Sequence, residues 1–202
     1  MKKLAIPPLL ILFSLNCFSQ NADINLLKEI NLNRNKSLDP AFTFITNSAS
    51  PVSFASPIFI FSAGLIKNNS TLKNKGLYIG ETVLVAAAFS TALKYSINRD
   101  RPFVTYPYIE KATSGGSPSF PSGHTSTAFA AATSLSLTFP KWYVIAPSFL
   151  WAGAVGYSRM HLGVHYPSDV LMGAIVGSGS AFLTYKLNQW INKKREHNRD
   201  KK

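Results

Sequence analysis

Apolar residues gather along the chain in five stretches, 52–66, 77–97, 125–139, 144–157 and 170–187, separated by short polar breaks. None alternates with the period of two that marks a half-buried strand, so all five are expected to be helices. They are rich in Ala, Gly, Ser and Thr and carry hardly a charge, the composition of close-packed membrane helices, and Gly173 and Gly177 form a small-xxx-small pair. The pattern predicts an all-α helical bundle, integral to a membrane, with about five transmembrane helices. A sixth apolar run, 4–18, follows Lys2 and Lys3 and ends at Ser19, with Cys17 two residues before it. That order reads as a signal segment cleaved after Ser19, or as an uncleaved first transmembrane helix, although the run is short of the roughly 20 residues a span needs. Residues 20–51 mix polar and apolar positions with no strong period and are expected to lie at the membrane surface on the periplasmic side.

At 202 residues the chain is sized for one domain, so its motifs should serve one site. Hydrophobic residues make up 46% and charged residues 15%, well under the roughly 25% of soluble domains, which excludes disorder and favours a membrane. A mean hydropathy of +0.07 tempers that preference and keeps a soluble periplasmic protein as the alternative. The net charge of +12 would suit a nucleic-acid binder only if the cations shared one solvated face with aromatic partners, which they do not. Cys17 is the only cysteine, so the remaining chain has no disulfide, thiolate nucleophile or cysteine-held metal.

The cations instead report topology. Lys2, Lys3, Lys67, Lys73, Lys75, Lys141, Lys186, Lys193, Lys194, Arg195, Arg199, Lys201 and Lys202 are 13 of the 21 basic residues, and with five alternating helices they all fall on one side. By the positive-inside rule that side is the cytoplasm, which makes 191–202 a basic cytoplasmic tail closing a helical domain, 52–190. Loops 98–124 and 158–169 then face the periplasm.

Those two loops hold the candidate chemistry. Lys94 and Arg101 are seven residues apart, so they share a face if the helix continues to the break at Pro102. Pro121-Ser122-Gly123-His124 precedes an apolar helix, with Ser122 as a natural N-cap and free backbone amides suited to a phosphate. Ser158-Arg159 is followed by His165 and Asp169, with Pro167 as a first helical residue; Asp169 can accept the Nδ1 proton of His165 and leave Nε2 free. Taken singly, each has a structural explanation: cations snorkelling to headgroups, a helix cap, a structural hydrogen bond. A metal pair from His161 and His165 lacks a third ligand. Together, three cations, a helix start and two histidines on one side of the membrane compose a phosphate site with a nucleophile and an acid.

The motifs Lys94-x6-Arg101-Pro102, Pro121-Ser122-Gly123-His124 and Ser158-Arg159-x5-His165-x3-Asp169 resemble the three signatures of the type 2 phosphatidic acid phosphatase superfamily, matching all eleven positions. The resemblance spans about 52–187 and implies an all-α core and hydrolysis of a phosphomonoester or pyrophosphate through a phosphohistidine, without metal or other cofactor. It implies that Lys94, Arg101 and Arg159 hold the phosphoryl oxygens, with Ser122 and the Gly123 amide completing the cradle. His165 would be the nucleophile, Asp169 its orienting partner, and His124 the acid for the leaving oxygen. The superfamily also contains soluble periplasmic acid phosphatases and vanadate-dependent haloperoxidases. The uncharged face of 170–187 favours a membrane phosphatase over the soluble form, since a soluble bundle helix needs a charged face. A non-catalytic membrane protein would account for the helices but not for the site. The expected partners are the bilayer and a lipid-phosphate substrate, with undecaprenyl diphosphate, phosphatidic acid, phosphatidylglycerol phosphate and the phosphates of lipid A as candidates.

Overall fold

The computed structural model of the protein describes residues 22–199, so the expected signal segment 1–19 and residues 200–202 lie outside the described residues. Every regular element among them is helical. In chain order they are α1 (22–32), a 3-10 turn (Lys36–Leu38), α2 (Asp39–Asn47), α3 (Ala49–Ile66), α4 (Ser70–Ile97), α5 (Pro102–Thr105), α6 (Gly123–Thr138), α7 (Trp142–His161) and α8 (Pro167–Arg199). Local chemistry sets the ends. The Asn69 side chain accepts from the Leu72 amide at the start of α4, and Asn98 takes a left-handed φ of 50° at its end.

Helix α6 is the centre of the bundle, touching α3, α4, α7 and α8. Its buried residues are small: alanines and hydroxyls from Thr125 to Ser134. The hydroxyls find partners without water, as Ser134 and Ser136 donate to the carbonyls of Ala130 and Ala132, and Thr133 donates to Ser178 of α8 at 3.1 Å. Gly173 and Gly177 are where α8 meets α6 within the same chain. A Cβ on Gly177 would lie 2.2 Å from the Ser126 carbonyl oxygen, so only glycine permits this approach.

The outside of the bundle is apolar. Ile58, Phe59 and Ile66 of α3, Leu84 and Phe89 of α4, Leu150 of α7, and Leu171, Ile175 and Phe182 of α8 are all exposed. A small, hydroxyl-rich interior beneath large apolar exterior side chains suits lipid as the surrounding solvent. Among the described residues, three helical stretches are long and apolar enough to cross a membrane: Lys36–Ile66, Ser70–Thr105 and Pro167–Ile191. That is fewer than the five expected; α6, at 16 residues, is shorter than the roughly 20 a span needs.

The two ends differ in charge. The Lys75 ammonium lies 4.3 Å from the centroid of the Phe139 ring, and Asn188 donates to Glu81 at 2.8 Å. These contacts gather the α3–α4 turn, the α6–α7 turn and the outer half of α8, and with them Lys67, Lys73, Lys75, Lys141 and Lys186, at one end.

Residues 22–47 dock on the other end. Their lack of an obvious period has a physical cause: Asp23, Leu27 and Asn31, spaced by four, are all buried, so polar side chains share the inward face of α1 with a leucine. Asn31 donates to the carbonyls of Glu110 and His161 and accepts from the Glu110 amide, clamping α1 to the long loop and to the end of α7. Beside it, Arg34 pairs with Asp39 and Glu110, each at 3.0 Å. Helix α3 begins at Ala49, ahead of the first apolar stretch.

Candidate active site

At this second end, the last turn of α4, the loop 98–122, the start of α6, the last turn of α7 and the α7–α8 connection surround a cavity of about 220 Å³. Its lining is Lys94, Arg101, the loop Ser114-Gly115-Gly116-Ser117, Gly123, His124, Arg159 and His165. Three cations and two imidazoles without a lining carboxylate form a receptacle for an anion rather than for a metal ion.

Lys94 and Arg101 reach the cavity differently from the shared helix face expected of them. Helix α4 ends at Ile97, three residues before the stretch Asp100-Arg101, and Arg101 is the extended residue preceding α5. Backbone carbonyls of the loop and of the α7–α8 connection hold these side chains. The Lys94 ammonium donates to Pro118 at 2.6 Å, and Arg101 donates through Nε to Ser117 at 2.7 Å and through Nη1 to Val164 at 2.9 Å. Arg159, in the last turn of α7, donates through Nη1 to Thr46 Oγ1 of α2 at 2.7 Å, while its Nε is buried without a protein partner among the described residues.

Ser122 caps α6 as expected, its hydroxyl accepting from Thr125 Oγ1 at 2.9 Å and from the Thr125 amide at 3.5 Å. It is fully buried and does not border the cavity, which Gly123 and His124 do. The structure therefore gives Ser122 a capping part at the start of α6. His161 and His165 do not converge: His161 Nε2 meets Asp39 at 2.9 Å, whereas His165 Nδ1 faces Asp169 Oδ2 at 3.3 Å.

His165 follows Gly163, whose φ of +70° turns the chain out of α7 so closely against the Glu110 carbonyl that a Cβ there would lie 2.3 Å from its oxygen. His165 is 1% exposed. Its Nδ1 side is fully engaged, since Asp169 Oδ2 also accepts from the Ser119 hydroxyl and from the Tyr166 amide at 2.9 Å. Nε2 is left toward the cavity. Burial, and then the nearby Arg159 and Arg101, push the His165 pKa down to about 3 against the opposing pull of Asp169. His124 stands at the mouth, ahead of the apolar stretch 125–139; burial, followed by Arg159, Arg101 and Lys94, lowers its pKa to about 4. Both rings are therefore neutral in the empty cavity, His165 through burial above all and His124 through burial and the surrounding cations.

The family model for the PAP2 superfamily matches residues 75–193. The chain belongs to the PAP2 superfamily. A lipid A 4'-phosphatase of Bacteroides thetaiotaomicron is 36% identical over 44% of this chain and 39% of its own length. An undecaprenyl-diphosphatase of Sulfolobus acidocaldarius is 29% identical over 82% of this chain and 78% of its own. The match thus spans well under half of the first relative and about three quarters of the second. Among solved structures, Aquifex aeolicus LpxE superposes with a TM-score of 0.73 at 30% identity, covering 82% of this chain and 95% of that one. A transmembrane PAP2 type phosphatidylglycerolphosphate phosphatase from Bacillus subtilis gives 0.71 at 28% identity, covering 86% and 87%. With its apolar exterior, this PAP2 chain is a membrane protein rather than the soluble alternative.

Four residues at the PAP2 site are absent from the signature reading: Arg99, Ser119, Asp23 and Thr46. Arg99 left a trace, as a third cation in the run Lys94 to Arg101, and Ser119 none beyond its nearness to Pro121. Asp23 and Thr46 come from α1 and α2, outside the matched region, and reach the site only through tertiary packing.

Proposed function

We propose that this PAP2 phosphatase removes phosphate from a lipid phosphate or pyrophosphate, without a metal, through a phosphohistidine. The observation that carries the reading is the convergence of Lys94, Arg101, Arg159, His124 and His165 on one small cavity at the end of a bundle with an apolar exterior. In the proposed sequence the three cations and the Gly123 amide hold the phosphoryl oxygens, where a loose transition state carries its negative charge. His165 Nε2 attacks phosphorus, forming the P–N bond as the bond to the leaving oxygen breaks, and Asp169 takes up the charge that appears on the ring. His124 delivers a proton to the leaving oxygen. Water then attacks phosphorus, His124 takes its proton, and the P–N bond breaks to return His165 and release inorganic phosphate. The named activities of the relatives, on lipid A and undecaprenyl diphosphate, support a lipid carrier of the phosphate, and undecaprenyl diphosphate is the first compound to test.

Purified full-length protein in detergent should release inorganic phosphate from one or more of these lipids at a rate unchanged by EDTA, and orthovanadate should inhibit it by occupying the cation cradle. Loss of activity in EDTA with recovery on adding Mg²⁺ would overturn the metal-free reading.

The proposal also orients the chain: five spans, α3, α4, α6, α7 and α8, in the inner membrane, with the cavity on the periplasmic side and the lysine-bearing turns in the cytoplasm. Its support is the separation of Lys67, Lys73, Lys75, Lys141 and Lys186 from the cavity by the length of the bundle. Alkaline phosphatase, active only after export, should be silent when fused after Lys202; a fully active fusion would invert the topology.

A further inference from the structure

Asp169 is held from both of its oxygens. Beyond the Ser119, Tyr166 and His165 contacts at Oδ2, its Oδ1 accepts from Arg99 Nη1 at 2.8 Å. The Arg99 guanidinium is itself fixed on three sides. Nη2 donates to Asp23 Oδ2 at 2.8 Å, Nη1 also donates to the Ser168 hydroxyl at 2.7 Å, and its central carbon lies 3.8 Å from the centroid of the Tyr166 ring. Asp23 in turn accepts from the Ser168 amide at 2.8 Å and from the Ser168 hydroxyl. The Arg99 carbonyl accepts from the Ser119 amide at 2.7 Å, which ties the backbone of this loop to the residue that donates to Asp169. Arg99 borders a neighbouring cleft, not the cavity that takes His124 and His165.

We infer that Arg99 and Asp23 are positioning residues: Asp23 of α1 fixes the Arg99 guanidinium, and Arg99 fixes the plane and shares the charge of the carboxylate that orients His165. The N-terminal helix is then a working part of the site although it lies outside the matched family region. The chemistry follows from a planar guanidinium set between two carboxylates, a geometry a lysine cannot reproduce. With Arg99 present, the negative charge of Asp169 is partly neutralised, so the imidazole is held in one tautomer without being driven to imidazolium. Without it, Asp169 would loosen and its whole charge would act on His165. The other charged or titratable groups around His165 are Lys94 of α4, Arg101 of the loop, Arg159 of α7 and His124 of α6, and their substitution is not part of this change.

The inference rests on the phosphatase reading for its kinetics but not for its second readout, the titration of His165 followed by NMR on protein labelled with carbon-13 in its histidine rings and assigned with His165→Gln. In detergent, with p-nitrophenyl phosphate as substrate, Arg99→Gln should lower kcat about tenfold with KM nearly unchanged. It should also raise the His165 titration midpoint, and the acid limb of kcat/KM with it, by about half a pH unit. Arg99→Lys should return the midpoint toward that of the parent while recovering only part of kcat, because charge is restored and the planar fork is not. Asp23→Asn should lower kcat by a smaller factor, and the double variant should be no worse than Arg99→Gln alone, because both act on one carboxylate. A raised KM with an unmoved midpoint would make Arg99 a substrate ligand and overturn the inference, as would losses that multiply in the double variant. If Arg99→Gln fails to fold, Asp23→Asn and Arg99→Lys decide the matter on the split between kcat and KM. No phosphate release by the parent chain, with the midpoint still moved by Arg99→Gln, would fell the phosphatase reading and leave the coupling of Arg99 to His165 standing.

Discussion

Replacing His165 with alanine is expected to lower phosphate release by about 10⁴-fold or more from every substrate, since removing a nucleophile costs as much as dismantling the unit it works in. Acid quench of the parent protein with labelled substrate should trap a phosphoenzyme, and the alanine variant should trap none. The expectation rests on position: among the described residues, His165 is the imidazole whose Nδ1 is braced by a carboxylate that itself accepts from Ser119, Tyr166 and Arg99. A ring so held presents Nε2 in one tautomer, and the charge formed on attack has Asp169 beside it. Burial and the flanking arginines, which push this group down to about 3, keep it unprotonated and nucleophilic far below the ordinary histidine range. Whatever rate survives in His165→Ala would come from the cation cradle acting on a water molecule. Label retained in that variant would mean that the two histidines have exchanged roles.

The helices and the reactive side chains were legible in the sequence for different reasons. The five apolar stretches coincide with α3, α4, α6, α7 and α8, to within one residue at the end of α6, because a run of uncharged residues of helical length is visible without any tertiary context. The three motifs, 27 and 41 residues apart in chain from Lys94 to Pro121 and from His124 to His165, converge because α4, α6, α7 and α8 each bring one end to the same side. The route was less legible. Spacing suggested a continuous helix from Lys94 to Arg101, but Asn98 ends it in the left-handed region, and loop carbonyls aim both cations instead. Ser122 was readable as a cap, and its hydroxyl oxygen accepts from Thr125 as a cap does. Hidden altogether was the part played by residues 22–47. Asp23, Asn31 and Thr46 point inward where a periodicity argument looks for apolar side chains, and their partners, Arg99, Glu110 and Arg159, lie 76, 79 and 113 residues away. Partnerships at that range leave no local pattern.

His124→Ala should divide substrates by their leaving group, where His165→Ala does not. His124 borders the cavity with Arg159, Arg101 and Lys94 around it, and these cations, after burial, are what hold it near 4 in the empty site. A bound phosphate dianion offsets that repulsion and gives the buried ring a counter-charge, so the ring is expected to gain its proton when the substrate arrives and to give it up as the leaving oxygen departs. A lipid alcohol leaves poorly as an alkoxide, and its loss from a phosphomonoester should slow by about 10³-fold without the acid. p-Nitrophenolate needs no proton and should leave nearly as fast as before. The phosphoenzyme it deposits then lacks the base that activates water, so label should accumulate on His165 in a burst of about one equivalent per chain, with slow turnover afterwards. A diphosphate falls on the p-nitrophenyl side of this division, because its leaving group is itself a phosphate with a second pKa of about 6. His124→Ala therefore also reports substrate class. A variant that still phosphorylates itself from undecaprenyl diphosphate but not from phosphatidic acid fits an acid at His124, and equal losses on both, with no burst from p-nitrophenyl phosphate, would remove that role from it.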